Sequence, residues 1–315
     1  NGHILLEPTS TNLVGYSLPN DTNWSKGSNT TITENFAVSP DGTQNASRFV
    51  MPTGSGTYAY YQFTATSTTD HTLSFYAKNN GGDADVTMAF FVASQTQNIT
   101  LTNEWQRFEF TTSITSGNAV QVGVDNITSV DMLIYGVQCE ALPYATSYIP
   151  TLTGSTVTRA TETATGAGSA DLINSTEGVL YAEIAALADG GDTRTITISS
   201  AANNRITLSL HSTTNRVQFY IAMNGYVNTV DLDATDISQT NMNKIACKFK
   251  ANDYALWING VEKDTNTTQS NTVQSGTLNS LNFDINGSNN FYGKVKAVAV
   301  FNEALSDAEL NNLTG

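Results

Sequence analysis

The stretch HTLSFYAKN, residues 71–79, decides the fold class. Three apolar residues that begin at Leu73 alternate with Ser74, Tyr76 and Lys78, so the two sets fall on opposite faces of an extended strand. Similar runs recur on both sides of it, and clusters of turn formers such as SPDGTQNAS and KNNGGDAD separate them. Roughly seven or eight short strands in about the first 140 residues predict an antiparallel β-sandwich of the jelly-roll kind.

A second series of strand segments fills the C-terminal half of the chain. It includes GVLYAEIAAL, RTITISS, NRITLSLH, NRVQFYIAM, NKIACKFK, YALWINGVEKD, LNSLNFDING and YGKVKAVAVFN. Asn259 and Gly260 lie between two segments, where a type I′ hairpin turn needs two residues with positive φ. Near the end, Ser306 and Glu309 form the capping box of a helix, LSDAELNNL. The predicted fold class is all-β, with two consecutive antiparallel β-sandwiches and one short C-terminal helix.

A polar stretch interrupts the strand pattern and begins as EALPYATSYIPTLTGSTVTRATETATG at Glu140. At about 30 residues it is longer than an ordinary loop inside a compact domain. The length of 315 residues also suits two domains. We therefore expect a jelly-roll domain over residues 1–145, a linker over 146–175 and a second sandwich over 176–315.

The composition excludes some classes of partner. With 14 Lys and Arg against 28 Asp and Glu, the chain has no general basic character, so we expect no nucleic-acid binding. No apolar run approaches the roughly 18 residues of a membrane span, so we expect no membrane insertion. The opening NGHILLEPTSTN shows no signal-peptide pattern and suggests a fragment of a longer protein. Cys139 and Cys247 lie in apolar alternations and are predicted to be buried free thiols.

Several passages resemble a known module. They are LLEPTSTNLVGYS, SPDGTQNASRF, YAYYQFTATSTTDHTLSFYAKN, NEWQRFEFT and LIYGVQCEALPYATSYIPTLTGSTVTRATE. In this order, over about residues 4–162, they resemble a jelly-roll module of bacteriophage tail and tail-fibre proteins that is similar to carbohydrate-binding modules. The passages LWINGVEKDT and FYGKVKAVAVFNEALSDAEL are similar to the laminin-G-like, concanavalin A-like sandwich. The resemblance implies two sugar-binding folds in a virion appendage, on its extracellular face.

Catalytic patterns are weak in this sequence. A retaining β-glucanase strand carries Glu-x-Asp-x-x-Glu, whereas Glu183 in YAEIAALADGGD has no second carboxylate at either spacing. His3, His71 and His211 are far apart in sequence and none has a second ligand at metal spacing. A lyase that uses Tyr and His remains open, since such pairs follow no spacing rule. We therefore predict non-enzymatic binding.

Sugar binding requires flat aromatic faces beside amides and carboxylates. In the first half, outward alternation or a polar loop selects four rings as candidates: Trp24, Tyr58, Tyr60 and Tyr76. In the second half the candidates are Tyr220, Tyr226, Asn289, Asn290 and Tyr292. The alternative is that these rings fill the ends of the sandwiches.

Two sets of carboxylates are candidates for calcium. In VDLDATD, Asp231, Asp233 and Asp236 are spaced like oxygen ligands, although the Gly and distal Glu of an EF-hand are missing. Jelly-roll binding modules often carry a structural calcium ion, and that resemblance suggests Glu7, Asp41 and Glu140 as ligands. A solvated acidic loop is the alternative.

The predicted function is that of a tail fibre, tailspike or capsid fibre that binds host cell-surface polysaccharide. Binding at each site would be shallow and weak, with avidity from several copies. Fibre proteins are often homotrimers, but the sequence contains no coiled-coil heptads. Two alternatives stay open: a decoration protein that contacts only other virion proteins, and a polysaccharide depolymerase.

Overall fold

The computed structural model describes residues 2–53, 57–81, 86–93, 95–126, 129–200 and 204–315. For residues 86–90, 126 and 226–228 it describes the backbone alone. The regular secondary structure of the described chain is β-strand apart from one short helix, and the strands pair antiparallel. The all-β fold class predicted from the sequence is confirmed.

The first strands in chain order are β1 (Ile4–Leu6), β2 (Ser10–Asn12), β3 (Ser25–Lys26), β4 (Thr31–Val38), β5 (Gln44–Met51), β6 (Tyr58–Thr64), β7 (Thr69–Asn79), β8 (Val86–Val92), β9 (Gln95–Leu101), β10 (Gln106–Ile114), β11 (Ala119–Asn126), β12 (Val130–Glu140) and β13 (Val157–Arg159). The later elements are β14 (Gly178–Ala186), β15 (Arg194–Ser200), β16 (Asn204–Leu210), β17 (Val217–Met223), β18 (Tyr226–Ala234), β19 (Asn243–Phe249), β20 (Tyr254–Ile258), β21 (Val261–Asn266), β22 (Ser280–Asn282), β23 (Gly293–Phe301) and α1 (Asp307–Thr314).

The chain divides into two compact units at Thr161 and Glu162. The first sandwich is residues 9–161, and the second sandwich is residues 1–8 together with 162–315. This differs from the expected boundaries, because β1 pairs with β23 and so joins the C-terminal unit. Strand pairing between residues so far apart in sequence leaves no local signal.

The first sandwich contains two five-stranded sheets. Their strand orders are β10-β7-β12-β5-β4 and β3-β6-β11-β8-β9. The stretch 71–79 lies within β7, and its alternation holds, because Leu73 and Phe75 are buried in the core beside Phe49 and Met132. The opposite faces of both sheets carry the polar and aromatic residues that concern function.

The second sandwich pairs a six-stranded sheet with a five-stranded one. The orders are β1-β23-β14-β19-β20-β21 and β18-β17-β16-β15-β22. Helix α1 packs against the outer face of the larger sheet through Leu310, which contacts a cluster that includes Tyr181 and Trp257. The predicted capping box is present, since the Ser306 and Glu309 side chains bond each other's backbone N–H groups. The Asn259-Gly260 hairpin is also confirmed, with φ of 50° and 79°.

The polar stretch expected to be a linker is divided between the two units. Residues up to 161 belong to the first sandwich, where Ile149 and Thr151 are buried and β13 pairs with β2. Residues from 162 belong to the second sandwich, where Ile173 enters the core and Ala167 bridges Leu281. The stretch is rich in turns because it crosses surfaces, yet it contributes buried contacts to both units.

Both cysteines are buried free thiols, as predicted. Burial raises the pKa of the Cys139 and Cys247 thiols well above the ordinary value. In the described part of the chain, no helix has the length and apolarity needed to cross a membrane.

Candidate functional site

Two tyrosines of β6 point away from the core of the first sandwich. Ala59 is fully buried and Tyr61 packs against Trp24, so the alternation directs Tyr58 and Tyr60 to the opposite face. The Tyr58 side chain is 36% exposed and Tyr60 is half-buried. The outward orientation predicted from the sequence therefore holds.

Phe91 of β8 completes a row of three rings with these tyrosines. The ring centroids of Tyr58 and Tyr60 are 5.7 Å apart at an interplanar angle of 30°. The centroids of Tyr60 and Phe91 are 6.3 Å apart at an interplanar angle of 61°, so Phe91 meets Tyr60 edge to face. We call Tyr58, Tyr60 and Phe91 the aromatic platform.

Gly123 explains why the rings come together. It lies on β11 opposite Tyr60 on one side and Phe91 on the other. Two strand spacings amount to roughly 9.6 Å, so centroids 6.3 Å apart mean that the rings lean over the glycine. A Cβ at this position would lie 2.1 Å from the Ala59 carbonyl oxygen and 2.7 Å from the Tyr60 Cα. The site therefore requires glycine.

Polar side chains flank the aromatic platform at both ends. Asp125 is exposed and lies opposite Tyr58 in the strand register. Gln121 lies opposite Gln62 and donates a 3.2 Å hydrogen bond to its side-chain oxygen. Beyond these amides is a shallow cleft of about 480 Å³ lined by Gln62, Ala93, Asn118, Ala119 and Gln121. Rings in a row with amides and a carboxylate at their margins suit a sugar chain, whose C–H faces stack and whose hydroxyls bond.

Tyr76 lies in a different environment, on the outer face of the other sheet of the first sandwich. Its ring centroid is 5.7 Å from the Arg107 guanidinium carbon and 6.1 Å from the Tyr135 centroid. Tyr135 in turn contacts Tyr148, with centroids 5.2 Å apart. Arg107 also donates to the Thr146 carbonyl oxygen, which ties residues 141–151 to this face. Tyr76 is thus half-buried in a cluster that holds the C-terminal segment of the sandwich.

Asp41 is a hydrogen-bond hub of that cluster. Its carboxylate accepts five hydrogen bonds, from Ser39, from the backbone and side chain of Thr43, from Asn45 and from the Tyr135 hydroxyl at 2.8 Å. These bonds, that from Asn45 first, hold the pKa of Asp41 well below its usual range. Burial and the hydrogen bond to Asp41 raise the pKa of Tyr135, and burial raises the pKa of Tyr148 to about 12.

The burial of Trp24 differs from the sequence-based prediction, which made its ring a candidate for sugar binding. Its side chain is only 3% exposed, and its ring contacts Phe49 and Tyr61. The indole nitrogen donates a 3.0 Å hydrogen bond to the Tyr16 carbonyl oxygen. A sugar has no free face of this ring to stack on, so Trp24 is a core residue. The polar loop NDTNWSKGS gave no sign that its one large side chain turns inward.

Glu140 is a second carboxylate hub and is completely buried. It accepts hydrogen bonds from the Ser10 hydroxyl at 2.5 Å, the Gln138 amide at 2.7 Å, and both the backbone N–H and the hydroxyl of Thr146. These bonds join the start of the first sandwich to its last long strand. Glu7 lies in the second sandwich, where its backbone N–H donates to the Glu162 carboxylate. Protein donors thus surround Asp41 and Glu140 where calcium was expected, and the calcium role stays a prediction.

The carboxylates of the VDLDATD segment also have protein partners. Asp233 accepts two hydrogen bonds from Arg216, at 2.7 and 2.8 Å, and Asp231 accepts one from the Gln218 amide at 2.7 Å. Asp236 adopts a positive φ of 62° in the turn that follows. Among the described residues, no group of three or more His, Cys, Asp and Glu is arranged to hold a metal ion.

Of the predicted residues of the second sandwich, Tyr220 lies on β17, and residues 289–292 lie in the segment that leads from β22 to β23. Tyr220 is 9% exposed, and the Arg205 guanidinium lies 5.5 Å from its ring centroid. Asn290 bridges Thr195 on the same sheet, and its amide donates to the Tyr292 hydroxyl at 3.1 Å. The prediction for Tyr226 lies outside the described side chains.

Asn289 borders β15 through its backbone. Its carbonyl oxygen accepts hydrogen bonds from both the N–H and the hydroxyl of Thr195. Its φ of 53° is a conformation that asparagine tolerates better than most residues. The side chain is exposed.

Residues that suggested catalysis are placed as follows. The Glu183 carboxylate pairs with Lys296 at 2.6 Å. His71 is buried, with Nδ1 3.0 Å from the Thr69 carbonyl oxygen. Burial, together with the nearby Arg216 charge, lowers the pKa of His211. None of them lies beside the aromatic platform in the strand register.

Part of the second sandwich matches a known protein family. Residues 172–311 match the family model described as the concanavalin A-like lectin/glucanases superfamily. No curated protein matches the chain.

Solved structures give more distant similarities. The CBM40 of the Ruminococcus gnavus IT-sialidase, bound to α2,3-sialyllactose, is 18% identical with a TM-score of 0.38, over 44% of this chain and 83% of that chain. The CBM22-1 xylan-binding domain of Paenibacillus barcinonensis Xyn10C is 13% identical with a TM-score of 0.32, over 46% and 99%. Domains LG4-5 of the mouse laminin α1 chain are 11% identical with a TM-score of 0.30, over 90% and 91%. The family match covers residues 172–311, which lie in the second sandwich and make up less than half of the chain.

Proposed function

We propose that the chain is a non-enzymatic polysaccharide-binding protein whose aromatic platform stacks against a glycan. The observation that carries the proposal is the row formed by Tyr58, Tyr60 and Phe91 on the outer face of one sheet. Gly123 holds two of these rings together, and Asp125 and the Gln62–Gln121 pair provide hydrogen-bonding groups at the margins.

The open position of the platform on an outer sheet face predicts weak binding at each site. An aromatic contact contributes about 0.5–1.5 kcal/mol beyond the area it buries, so a few rings give affinities in the micromolar-to-millimolar range. Multiple copies on one particle would raise the apparent affinity by about 10²–10⁴ without new contacts.

The resemblance of the first sandwich to a phage module supports a finer proposal. The chain would belong to a virion appendage, on its extracellular side, and its ligand would be a host cell-surface polysaccharide. Association with other virion proteins and a homotrimeric state belong to the same proposal. The rival function is a decoration protein that binds virion proteins alone.

Binding to host polysaccharides tests the proposal directly. The full chain, Tyr58→Ala and Tyr60→Ala are compared by affinity electrophoresis and on a glycan array. We expect each substitution to weaken binding about tenfold or more, because it removes a stacking ring worth roughly 1.5–3 kcal/mol. The matched control is Phe36→Ala, which removes a ring of similar exposure, 40%, from the other sheet of the same sandwich.

Three outcomes would contradict the proposal. Equal glycan binding by the wild type and Tyr60→Ala would show that the aromatic platform does not bind the glycan. Absence of binding to every glycan, with tight binding to a virion protein, favours the decoration role. Release of reducing or unsaturated ends from the polysaccharide establishes a depolymerase.

A further inference from the structure

The second sandwich has an outer sheet face lined with hydroxyl and amide groups. We call Thr195, Thr197, Thr207, Ser209, Gln218 and Tyr220 of β15, β16 and β17 the hydroxyl face. These residues alternate with core residues such as Ile196, Leu208 and Phe219 and therefore point away from the core. Nevertheless, none of the six is more than 9% exposed.

Two buried hydroxyls of this face and one buried amide oxygen of the adjoining loop have no hydrogen-bond partner among the described residues. They are Thr207 Oγ1, Ser209 Oγ and Asn290 Oδ1. Ser209 lies opposite Thr195 in the strand register, and Asn290 bridges Thr195 from the other side. Buried polar atoms without a partner are rare in folded proteins, and a water or ligand at the site commonly accounts for them.

Neighbouring hydroxyls on the same face do have partners. Thr195 donates to the Asn289 carbonyl oxygen at 2.9 Å, and Thr197 donates to the Asp284 carbonyl oxygen at 2.7 Å. Burial on this face is therefore compatible with complete hydrogen bonding. Thr207 and Ser209 occupy successive outward positions of β16, and Asn290 lies in the loop that borders β15.

Charge around the face selects the class of ligand. Asp231 lies opposite Tyr220, and Asp233 lies opposite Gln218. The Arg216 guanidinium is already engaged by both oxygens of Asp233. The Arg205 guanidinium also lies on this face, so two acidic and two basic side chains balance one another there. A neutral polyol adds no charge to this balance, and it could both donate to and accept from the hydroxyls.

Arg205 and Tyr220 lie where they cover the centre of the face. Arg205 precedes Thr207 by two residues on the same face of β16, and Tyr220 is opposite Thr207 on β17. The guanidinium lies 5.5 Å from the Tyr220 centroid. Arg205 and Tyr220 are therefore the long side chains next to Thr207, and Gln218 is the one opposite Ser209.

We infer that the hydroxyl face is a second sugar site, which takes a neutral pyranose on Thr207, Ser209 and Asn290. This inference rests on the proposed function, because it assigns the second sandwich a site of the same kind. The ligand supplies the hydrogen bonds that the three polar atoms lack. Tyr220 supplies the ring, with Arg205 displaced from it.

The test uses the full chain with Tyr60→Ala, so that the aromatic platform is impaired. Methyl β-D-glucopyranoside, methyl β-D-galactopyranoside and N-acetylglucosamine are titrated while backbone amide NMR signals are followed, with glucuronic acid as the anionic comparison. We expect the neutral sugars to shift signals of residues 205–209 and 289–292. Glucuronic acid should leave them in place.

Hydroxyl removal then tests the assigned residues. In the same background, Thr207→Val and Ser209→Ala should each weaken binding about two- to tenfold, the usual effect of one hydrogen bond. The matched control Thr213→Val removes an exposed hydroxyl from the nearby turn and should bind as the parent does. Thermal unfolding without sugar should be unchanged or shifted upward in Thr207→Val, because its hydroxyl has no protein partner to lose.

The inference is overturned by any of three results. They are no shift at these residues with any neutral sugar, equal binding by Thr207→Val and its parent, and preference for glucuronic acid. A failure of the proposed function is recognised separately, because it appears as unchanged polysaccharide binding by Tyr60→Ala, the background in which this site is measured.

Discussion

The outer sheet faces of the two sandwiches carry different side chains on similar antiparallel sheets: aromatic rings on the first and small hydroxyl groups on the second. In the first sandwich, the rings of Tyr58, Tyr60 and Phe91 lean over a glycine and stay accessible. In the second, small hydroxyl side chains such as Thr207 and Ser209 lie buried below longer neighbours. The backbone architecture allows both arrangements, so the residues at outward positions decide how each face meets a ligand.

The difference predicts different selectivity. Stacking depends on a flat C–H surface that many pyranoses share, so the aromatic platform should tolerate several sugars. A buried hydroxyl or amide that lacks its partner discriminates strongly, because a ligand without the matching group leaves it unsatisfied. The aromatic platform should therefore bind several sugars with similar affinity, and the hydroxyl face should discriminate between them.

The largest effect is expected from a substitution of Gly123, which lies under the aromatic platform. Gly123→Val places a side chain against the Ala59 carbonyl oxygen and the Tyr60 backbone. We expect it to lower the free energy of unfolding by about 3 kcal/mol, the upper end of overpacking costs, and to abolish glycan binding. Urea unfolding and affinity electrophoresis measure the two effects. If Gly123→Val were as stable as the wild type, the close approach of the rings would not require glycine at this position.

A smaller loss is expected from Glu140→Gln, which keeps the shape of the hub beside Ser10 and Thr146. One carboxylate oxygen becomes an amide nitrogen that faces donors instead of accepting from them. Stability should fall by about 1–3 kcal/mol while the ring geometry persists. Chemical unfolding gives the loss, and glycan binding at low temperature is the control. Unchanged stability would mean that these four bonds hold little of the first sandwich together.

Two isosteric substitutions compare the hydroxyls of the second face. Thr197→Val removes a hydroxyl that donates to the Asp284 carbonyl oxygen, and we expect a loss of about 1 kcal/mol. Thr207→Val removes one that has no partner among the described residues, and the loss should be absent. Thermal unfolding of the pair measures the difference. Equal losses would show that the Thr207 hydroxyl is bonded after all.

Low pH should destabilise the first sandwich through protonation of Asp41. Its folded pKa is lowered, so its contribution to stability is complete above the unfolded value of 3.8 and is lost as pH falls from there toward the folded value. Asp41→Asn should therefore flatten the decline in melting temperature below pH 4. Tyr135→Phe, which removes one donor, should flatten it partly. A parallel decline in wild type and Asp41→Asn would contradict this role.

The smallest effect is expected from calcium removal. Since hydrogen-bond donors already surround the Asp41 and Glu140 carboxylates, we expect a chelator to leave the melting temperature of the full chain unchanged. Readdition of calcium serves as the control. A drop with chelator that calcium reverses would establish the metal site that the resemblance suggested.

Local patterns predicted the strands, the hairpin and the helix cap, because each depends on neighbouring residues. The orientation of Tyr58 and Tyr60 followed from simple alternation, whereas Phe91 belongs to TMAFFVA, which is apolar on both faces and leaves the outward side undecided. Trp24 lies in a polar loop, and only tertiary packing brings its ring into the core. The pairing of β1 with β23 links the two ends of the chain and has no local signature.

The sequence could not predict which hydroxyls of the second sandwich have hydrogen-bond partners. Thr195, Thr197, Thr207 and Ser209 all read as polar strand residues, yet two of them donate to loop carbonyls and two do not. Which of them has a partner depends on where residues 284–290 pass beside β15. That distinction exists only in three dimensions.

The central claim is that the outward-facing rings of Tyr58 and Tyr60 in the first sandwich make the contact with sugar. Saturation-transfer NMR on the full chain, with an oligosaccharide cut from the polysaccharide it binds, tests it most directly. We predict that saturating aromatic protons transfers magnetisation to pyranose C–H protons, and that the transfer is largely lost in the Tyr58→Ala, Tyr60→Ala double variant. Equal transfer in that variant and the wild type would contradict the claim.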